Sequence, residues 1–262
     1  MSFNYVLLLA RQRSGTSALG SILDKSADAY YLGEPFNLKN FGKPRSFFSF
    51  KERAVLEEPA LIRPDNNQKL WDIFIEEMNA KFEGKAFVDV KYNQTHHLNG
   101  EAYLPTNPPW LLAHAFGRKM PIIHLTRRNH LKNFVSVLKA KKSGVWHTKT
   151  KNDALDLLVK VNTDDLMKHI RLCENTLALF NSWMEKRRHV FTIDYSETFN
   201  ADGSLSPKAV EGIQRITGFS GLENLSAAFL KQTSDNLANE IENFADVTEA
   251  LSPTKHAWML TD

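Results

Sequence analysis

The chain has 262 residues, 42% of them hydrophobic and 24% charged, which is ordinary globular usage and excludes a mainly disordered protein. Basic residues number 33 and acidic ones 30, a net of +3, so bulk charge points neither to nucleic acid nor to a membrane surface. The single cysteine, Cys173, excludes an intramolecular disulfide and a cysteine-rich metal site.

The N-terminal apolar run closes at Arg11 and falls far below the roughly 20 residues of a membrane span. It also lacks the basic flank and small-residue cleavage site of a leader. It reads as a buried strand, Tyr5 to Ala10, and a cytoplasmic protein is expected. Ala86 to Lys91, Pro121 to Thr126 and Val190 to Tyr195 are similar near-continuous apolar runs, the pattern of parallel strands covered on both faces. Helical spacing lies between them. It appears in Leu19, Ile22 and Leu23, then in Leu70, Phe74, Met78 and Phe82 behind an N-cap expected at Asp65. It recurs in Leu131, Phe134, Val135 and Leu138. The longest helix is predicted from about Thr163 to Lys186, with Leu166, Ile170, Cys173, Leu177, Phe180 and Met184 on one face. Strands separated by helices predict right-handed crossovers, a central parallel sheet flanked by helices, and a single α/β domain over 1–262.

Ligands of such sheets bind beyond the carboxyl ends of the strands. Each predicted strand end runs into a polar segment: 11–17, 91–97, 127–129 and 196–198. The first, Arg11-Gln12-Arg13-Ser14-Gly15-Thr16-Ser17, joins strand to helix and aims backbone N–H groups and the helix dipole at one point. Gly15 permits close approach of an anion, Thr16 and Ser17 bring hydroxyls, and Arg13 brings a planar fork. The chemistry implied is a phosphate or sulfate cradle; the plainer reading is a turn capped by Thr16 or Ser17. The lysine of the usual phosphate-binding loop is missing, since Thr16 stands in its place. At the third strand end, Arg127, Arg128 and His130 oppose the dipole of the helix they open. Their placement is explained by an anion there, which Arg128 and Ser136 are positioned to touch.

The two segments together resemble the sulfotransferase superfamily. Arg13-Ser14-Gly15-Thr16-Ser17 is similar to its first motif, which implies a grip on the 5′-phosphosulfate of 3′-phosphoadenosine 5′-phosphosulfate (PAPS). Arg128-Asn129 with Ser136 is similar to its second, which implies binding of the 3′-phosphate. Leu32 to Asn37, LGEPFN, resembles the acidic segment of carbohydrate-type and bacterial members, where the glutamate, here Glu34, is the candidate general base. The tail from Lys231 to Leu260 resembles bacterial members in which the Lys231-Gln232 pair closes over the nucleotide. The histidine-base enzymes of the superfamily are echoed only loosely, by Lys91 followed by Thr95, His96 and His97.

The resemblance implies a P-loop-like sulfotransferase fold and transfer of a sulfuryl group to a hydroxyl or amine of a small acceptor, favouring a carbohydrate or glycolipid. The desulfated bisphosphate is released, and no metal is required. On this reading Glu34 takes the acceptor proton, with His96 or His97 as the alternative base. Arg13 stabilises the leaving oxygen, and Lys91 reaches the sulfuryl oxygens. Arg11, Ser14, Gly15, Thr16 and Ser17 complete the donor cradle. Trp110, Trp146 and His147, with the Pro-rich stretch from Leu104 to Trp110, are candidates for the acceptor pocket. A kinase with a degenerate loop and a non-catalytic nucleotide or glycan binder stand as alternatives, and the acceptor itself is not legible.

Overall fold

The computed structural model describes residues 3–100, 106–145, 157–227 and 236–261. They form two compact units, Met1–Thr126 with Lys186–Ser226, and Arg127–Glu185 with Ala227–Asp262.

The first unit is built on a five-stranded sheet, β1 (Tyr5–Ala10), β2 (Ala29–Gly33), β3 (Lys85–Lys91), β4 (Ile122–Thr126) and β5 (Val190–Asp194), in the order β2-β3-β1-β4-β5. Every pairing is parallel. The strand β1 is buried along its whole length, as a central strand covered on both faces must be. Around the sheet stand α1 (Thr16–Leu23), α2 (Phe47–Glu57), α3 (Asn67–Lys81) and α4 (Trp110–Gly117).

Four of these strands are the predicted ones. The fifth, β2, has the sequence AYYLG, whose two tyrosines and closing glycine do not make the near-continuous aliphatic run of the others. The helix over Leu70 to Met78 is present, but its N-cap is Asn66 rather than Asp65. The reason is Pro64, which starts a separate 3₁₀ turn over Pro64–Asn66 and takes Asp65 into it. Between Glu34 and Gly84 the chain supplies an aromatic core: Phe36 stacks on Trp71 at 5.1 Å between centroids, and Phe47 meets Phe74 edge-on at 5.8 Å.

The second unit contains α5 (His130–Ser143) and α6 (Thr163–Met184). The first unit resumes with a single turn, α7 (Tyr195–Thr198), and with α8 (Pro207–Thr217), and the second closes with α9 (Phe244–Leu251). The core of the second unit includes Leu131, Val135, Leu166, Ile170, Val247 and Leu251. The helix α6 starts at Asn162, whose side chain accepts from the Asp165 amide, with Asp164 and Asp165 in its first turn where the dipole favours them. Its predicted inward face holds for Leu166, Ile170, Cys173, Phe180 and Met184, all buried, while Leu177 is half-buried. Among the described residues no helix is long and apolar enough to cross a membrane.

The packing of α8 onto β5 is tight enough to test. A methyl group at Gly212 would stand 2.1 Å from Phe191 Cζ. Gly212→Ala gains about 1 kcal/mol of helix propensity and costs about 1–3 kcal/mol of overpacking. The clash should win, and thermal melts of the variant should show a lowered midpoint.

Candidate active site

The strand order places the chemistry. The crossover after β1 leads to β2 on one side and the one after β3 leads past β1 to β4 on the other, so the winding reverses next to β1, the kind of switch point where ligands of parallel sheets bind. At that end Ala10 pairs with Lys91, which sets Lys91 beside the loop that begins at Arg11.

The loop is sharply bent. Arg13 has φ 64° and Gly15 φ 86°, both left-handed. For arginine this costs about 1 kcal/mol or more and is held by the surrounding structure. Gly15 is the N-cap of α1, so no side chain caps the helix; neither Thr16 nor Ser17 plays that part. A Cβ at Gly15 would lie 2.5 Å from the Tyr195 ring. Ser14 is buried, and its Oγ has no hydrogen-bond partner among the described residues. A buried hydroxyl without a partner is costly. Thr16 Oγ1 instead accepts from Lys91 Nζ at 2.6 Å.

Glu34 arrives by a different route. The pairing of β2 with β3 slips between Tyr31 and Gly33, and Gly33 has φ 81°. Such an irregularity bends the strand and re-aims the next side chain, here that of Glu34. Its Oε2 accepts from Asn37 Nδ2 and Gln94 Nε2, each at 3.2 Å, and Oε1 lies 3.4 Å from Lys91 Nζ. Gln94 is itself fixed, since its Oε1 accepts the Lys91 backbone N–H at 3.0 Å.

Asp89 completes the group. It is fully buried and lies two residues before Lys91 on β3, hence on the same face. Lys91 Nζ donates to Asp89 Oδ1 at 2.5 Å and Oδ2 at 2.7 Å, and the Tyr31 hydroxyl donates to Oδ2 at 2.9 Å. Burial first, then the Asp89 carboxylate, holds the Tyr31 hydroxyl well above its ordinary pKa, so it stays a donor. Tyr31 is admitted by Gly20, where a Cβ would meet the ring at 2.5 Å. Asp89 and Tyr31 were not anticipated; the available signal was a lone carboxylate inside an otherwise apolar strand.

The two histidines stand differently. They occupy the 3₁₀ turn Tyr92–Leu98 and lie against each other at 4.3 Å between centroids. His97 packs on Phe36 and Phe48 at 5.8 and 5.1 Å. Burial, with His96 beside it, pushes its pKa down to about 4, so the ring is neutral at pH 7.

A further buried histidine, His124 in β4, contacts the Tyr92 hydroxyl through Nε2 at 2.6 Å and Thr192 Oγ1 through Nδ1 at 3.4 Å. Burial lowers its pKa to about 4, against roughly 6.5 in an unfolded chain. Below pH 6.5 the unfolded chain therefore takes up a proton that the fold refuses, and stability is lost as pH falls towards 4. Melting temperature should fall between pH 7 and pH 4.5, and less steeply in His124→Gln.

In the second unit Asn129 caps α5: its Oδ1 accepts the Lys132 amide at 2.9 Å, and its Nδ2 donates to the Met259 carbonyl at 3.0 Å. Beside this cap Arg128 is exposed, and Ser136 is buried in α5. Lys231, Gln232, Trp146 and His147 lie outside the described residues, as do residues 104 and 105 of the Pro-rich stretch.

Comparison with known proteins gives the class: the protein is a sulfotransferase. More closely, the chain belongs to the Stf0 sulphotransferase family, whose model matches residues 4–204. Among solved structures it is similar to a sulfotransferase from Alicyclobacillus acidocaldarius at 13% identity and TM-score 0.46, covering 100% of this chain and 98% of that one. No curated protein matches the sequence.

Proposed function

We propose that the protein moves a sulfuryl group from PAPS to a hydroxyl or amine of a small acceptor, in the first instance a carbohydrate or glycolipid, and releases 3′,5′-adenosine bisphosphate. The observation that carries this reading is the contact of Glu34 with Lys91, which is in turn bonded to Thr16 of the loop. A base and a cation thus stand together beside an anion cradle.

The residues of the loop fit the donor. An uncapped helix start and a buried, unpartnered Ser14 hydroxyl suit a tetrahedral oxyanion. Arg11, Arg13, Ser14, Gly15, Thr16 and Ser17 would hold the 5′-phosphosulfate in a P-loop-like manner. Arg128 and Ser136 are assigned to the 3′-phosphate, and Lys231 with Gln232 to closure over the nucleotide, as the family resemblance implies.

In the transfer, Glu34 Oε1 takes the acceptor proton. The partner oxygen, Oε2, already accepts two amide N–H groups, which fixes the carboxylate and leaves Oε1 as the basic atom. The acceptor oxygen or nitrogen bonds to sulfur as the bond from sulfur to the phosphate oxygen breaks. Arg13 stabilises the charge left on that oxygen. The His97 ring, neutral at pH 7, is packed on aromatic side chains.

Calorimetric titration with 3′,5′-adenosine bisphosphate, beside Mg-ATP in a parallel cell, tests the donor site without knowledge of the acceptor. Binding of the bisphosphate without added metal is expected, weakened at least about tenfold in Arg128→Ala, since a charge-assisted phosphate contact is lost. Binding of Mg-ATP alone would overturn the reading and favour a kinase.

A further inference from the structure

Three polar atoms at the other end of the sheet are buried without a hydrogen-bond partner among the described residues: Tyr5 Oη, Trp71 Nε1 and His114 Nε2. Tyr5 and Trp71 are buried outright, and only 8% of the His114 side chain is accessible. They come from β1, α3 and α4, all within the first unit. Tyr5 opens β1, so the length of the strand, about 17 Å at its usual rise, separates the group from the loop at Arg11.

One orphaned atom says little by itself, but these three belong to one neighbourhood. Trp71 meets Tyr5 edge-on at 5.8 Å between centroids. Its neighbour on α3, Asp72, lies 3.7 Å from His114 Nε2 and 3.5 Å from the Arg118 guanidinium. Burial holds the Tyr5 hydroxyl well above its ordinary pKa, and the Trp71 N–H, Asp72 and Arg118 act on it more weakly. His114 feels the same Asp72 and Arg118, and burial lowers its pKa, so the ring is neutral at pH 7. Its contact with Asp72 is longer than a hydrogen bond, so the carboxylate does not satisfy the ring directly.

The donor and acceptor types select the occupant. An indole only donates, a carboxylate only accepts, and a phenol or a neutral imidazole does both. A cation would face the Trp71 N–H and Arg118, and among the described residues no cluster suits a metal ion. An anion would face Asp72. A small neutral molecule that both donates and accepts suits the whole group.

We infer that Tyr5, Trp71 and His114 hold one buried water between β1, α3 and α4, beneath the exposed Asp72–Arg118 pair. The water accepts from the Trp71 N–H and exchanges hydrogen bonds with the Tyr5 hydroxyl and the His114 ring. Three partners are usual for a buried water. It ties the start of the central strand to the two helices that cover this face. Through Trp71, which stacks on Phe36, it also braces the aromatic core behind the turn that carries Glu34.

The sign of one substitution tests this. Tyr5→Phe removes the hydroxyl and little else. If that hydroxyl has no partner, the variant should melt at the wild-type temperature or above it, because an unsatisfied polar atom is gone. If it holds the water, the midpoint should fall by about 2–4 °C. A fall also follows from a direct bond between Tyr5 and Trp71, so a double-mutant cycle with His114→Phe separates the two; the new ring keeps the packing of His114 on Trp110 at 4.4 Å. A shared water requires the double variant to lose less than the two single losses combined, by at least about twofold in the unfolding constant. A crystal structure of the wild type should show one water within about 3.2 Å of all three atoms. An unchanged or raised midpoint in Tyr5→Phe, an additive cycle, or a crystal structure in which the three atoms bond to one another would overturn the inference. So would an anomalous peak at this position in bromide-soaked crystals, which would make the occupant an anion.

Discussion

Glu34→Gln should lower kcat by about 10²–10⁴-fold, the range for loss of a positioned general base, while bisphosphate affinity stays within about twofold. The substitution is nearly isosteric. The amide oxygen can still accept from Asn37 and Gln94, which hold Oε2 at 3.2 Å, so the turn after β2 keeps its form. What disappears is the capacity to take a proton. Steady-state kinetics with a responsive acceptor would show a fall in kcat without a matching rise in KM for the donor. Undiminished turnover would remove Glu34 as the base and return attention to the histidines. His97 would then have to act from its packed position against Phe36 and Phe48, with a ring that burial keeps neutral down to about pH 4.

Gly15→Ala should be nearly as damaging, by another route. The residue sits at φ 86°, where a side chain is strained, and the added methyl would stand 2.5 Å from Tyr195 Cε2 and 3.4 Å from Phe199 Cε2. Relief requires either the loop to unwind or the Tyr195 ring to move. Strain and overpacking together should cost about 2–4 kcal/mol of stability. An unwound loop also loses the alignment of its amides, so bisphosphate affinity should fall more than about thirtyfold. Melting curves and calorimetry on the same preparation would measure both. A variant that melts normally and binds normally would mean that neither the left-handed turn nor the contact with Tyr195 matters to the loop.

Much of the scaffold was legible in the sequence, and for a physical reason. A parallel strand covered on both faces must be largely apolar, and β1, β3 and β4 announce themselves by that, while the run VFTID marks the edge strand β5. The joint after β1 was readable as a strand-to-helix turn, and β1 indeed ends at Ala10 with α1 starting at Thr16. The edge strand β2 was not readable, and its loss matters. Glu34 was recognised by resemblance, but its meeting with Lys91 depends on β2 lying beside β3 and on the slip between Tyr31 and Gly33. Sequence spacing carries neither. Asp89 was hidden because one carboxylate in an apolar strand gains its meaning from Lys91, Tyr31 and the room left by Gly20. The misplaced cap at Asp65 has a local cause: Pro64 gives that residue to a separate turn.

The division of the chain into units bears on how the protein is made. The first unit takes Met1–Thr126 and Lys186–Ser226, and the second takes Arg127–Glu185 and Ala227–Asp262, so the two are interleaved along the polypeptide. A ribosome delivering the chain from its N-terminus releases β1 to β4 early, but the sheet waits for β5 until α6 has emerged. The start of α5 waits longer still, because Asn129 donates to the carbonyl of Met259, 130 residues further along the chain. Domains that are continuous in sequence can fold one after another during synthesis. Here neither unit can be completed before a segment of the other has been made, and the flank of β4 that pairs with β5 stays unpaired meanwhile.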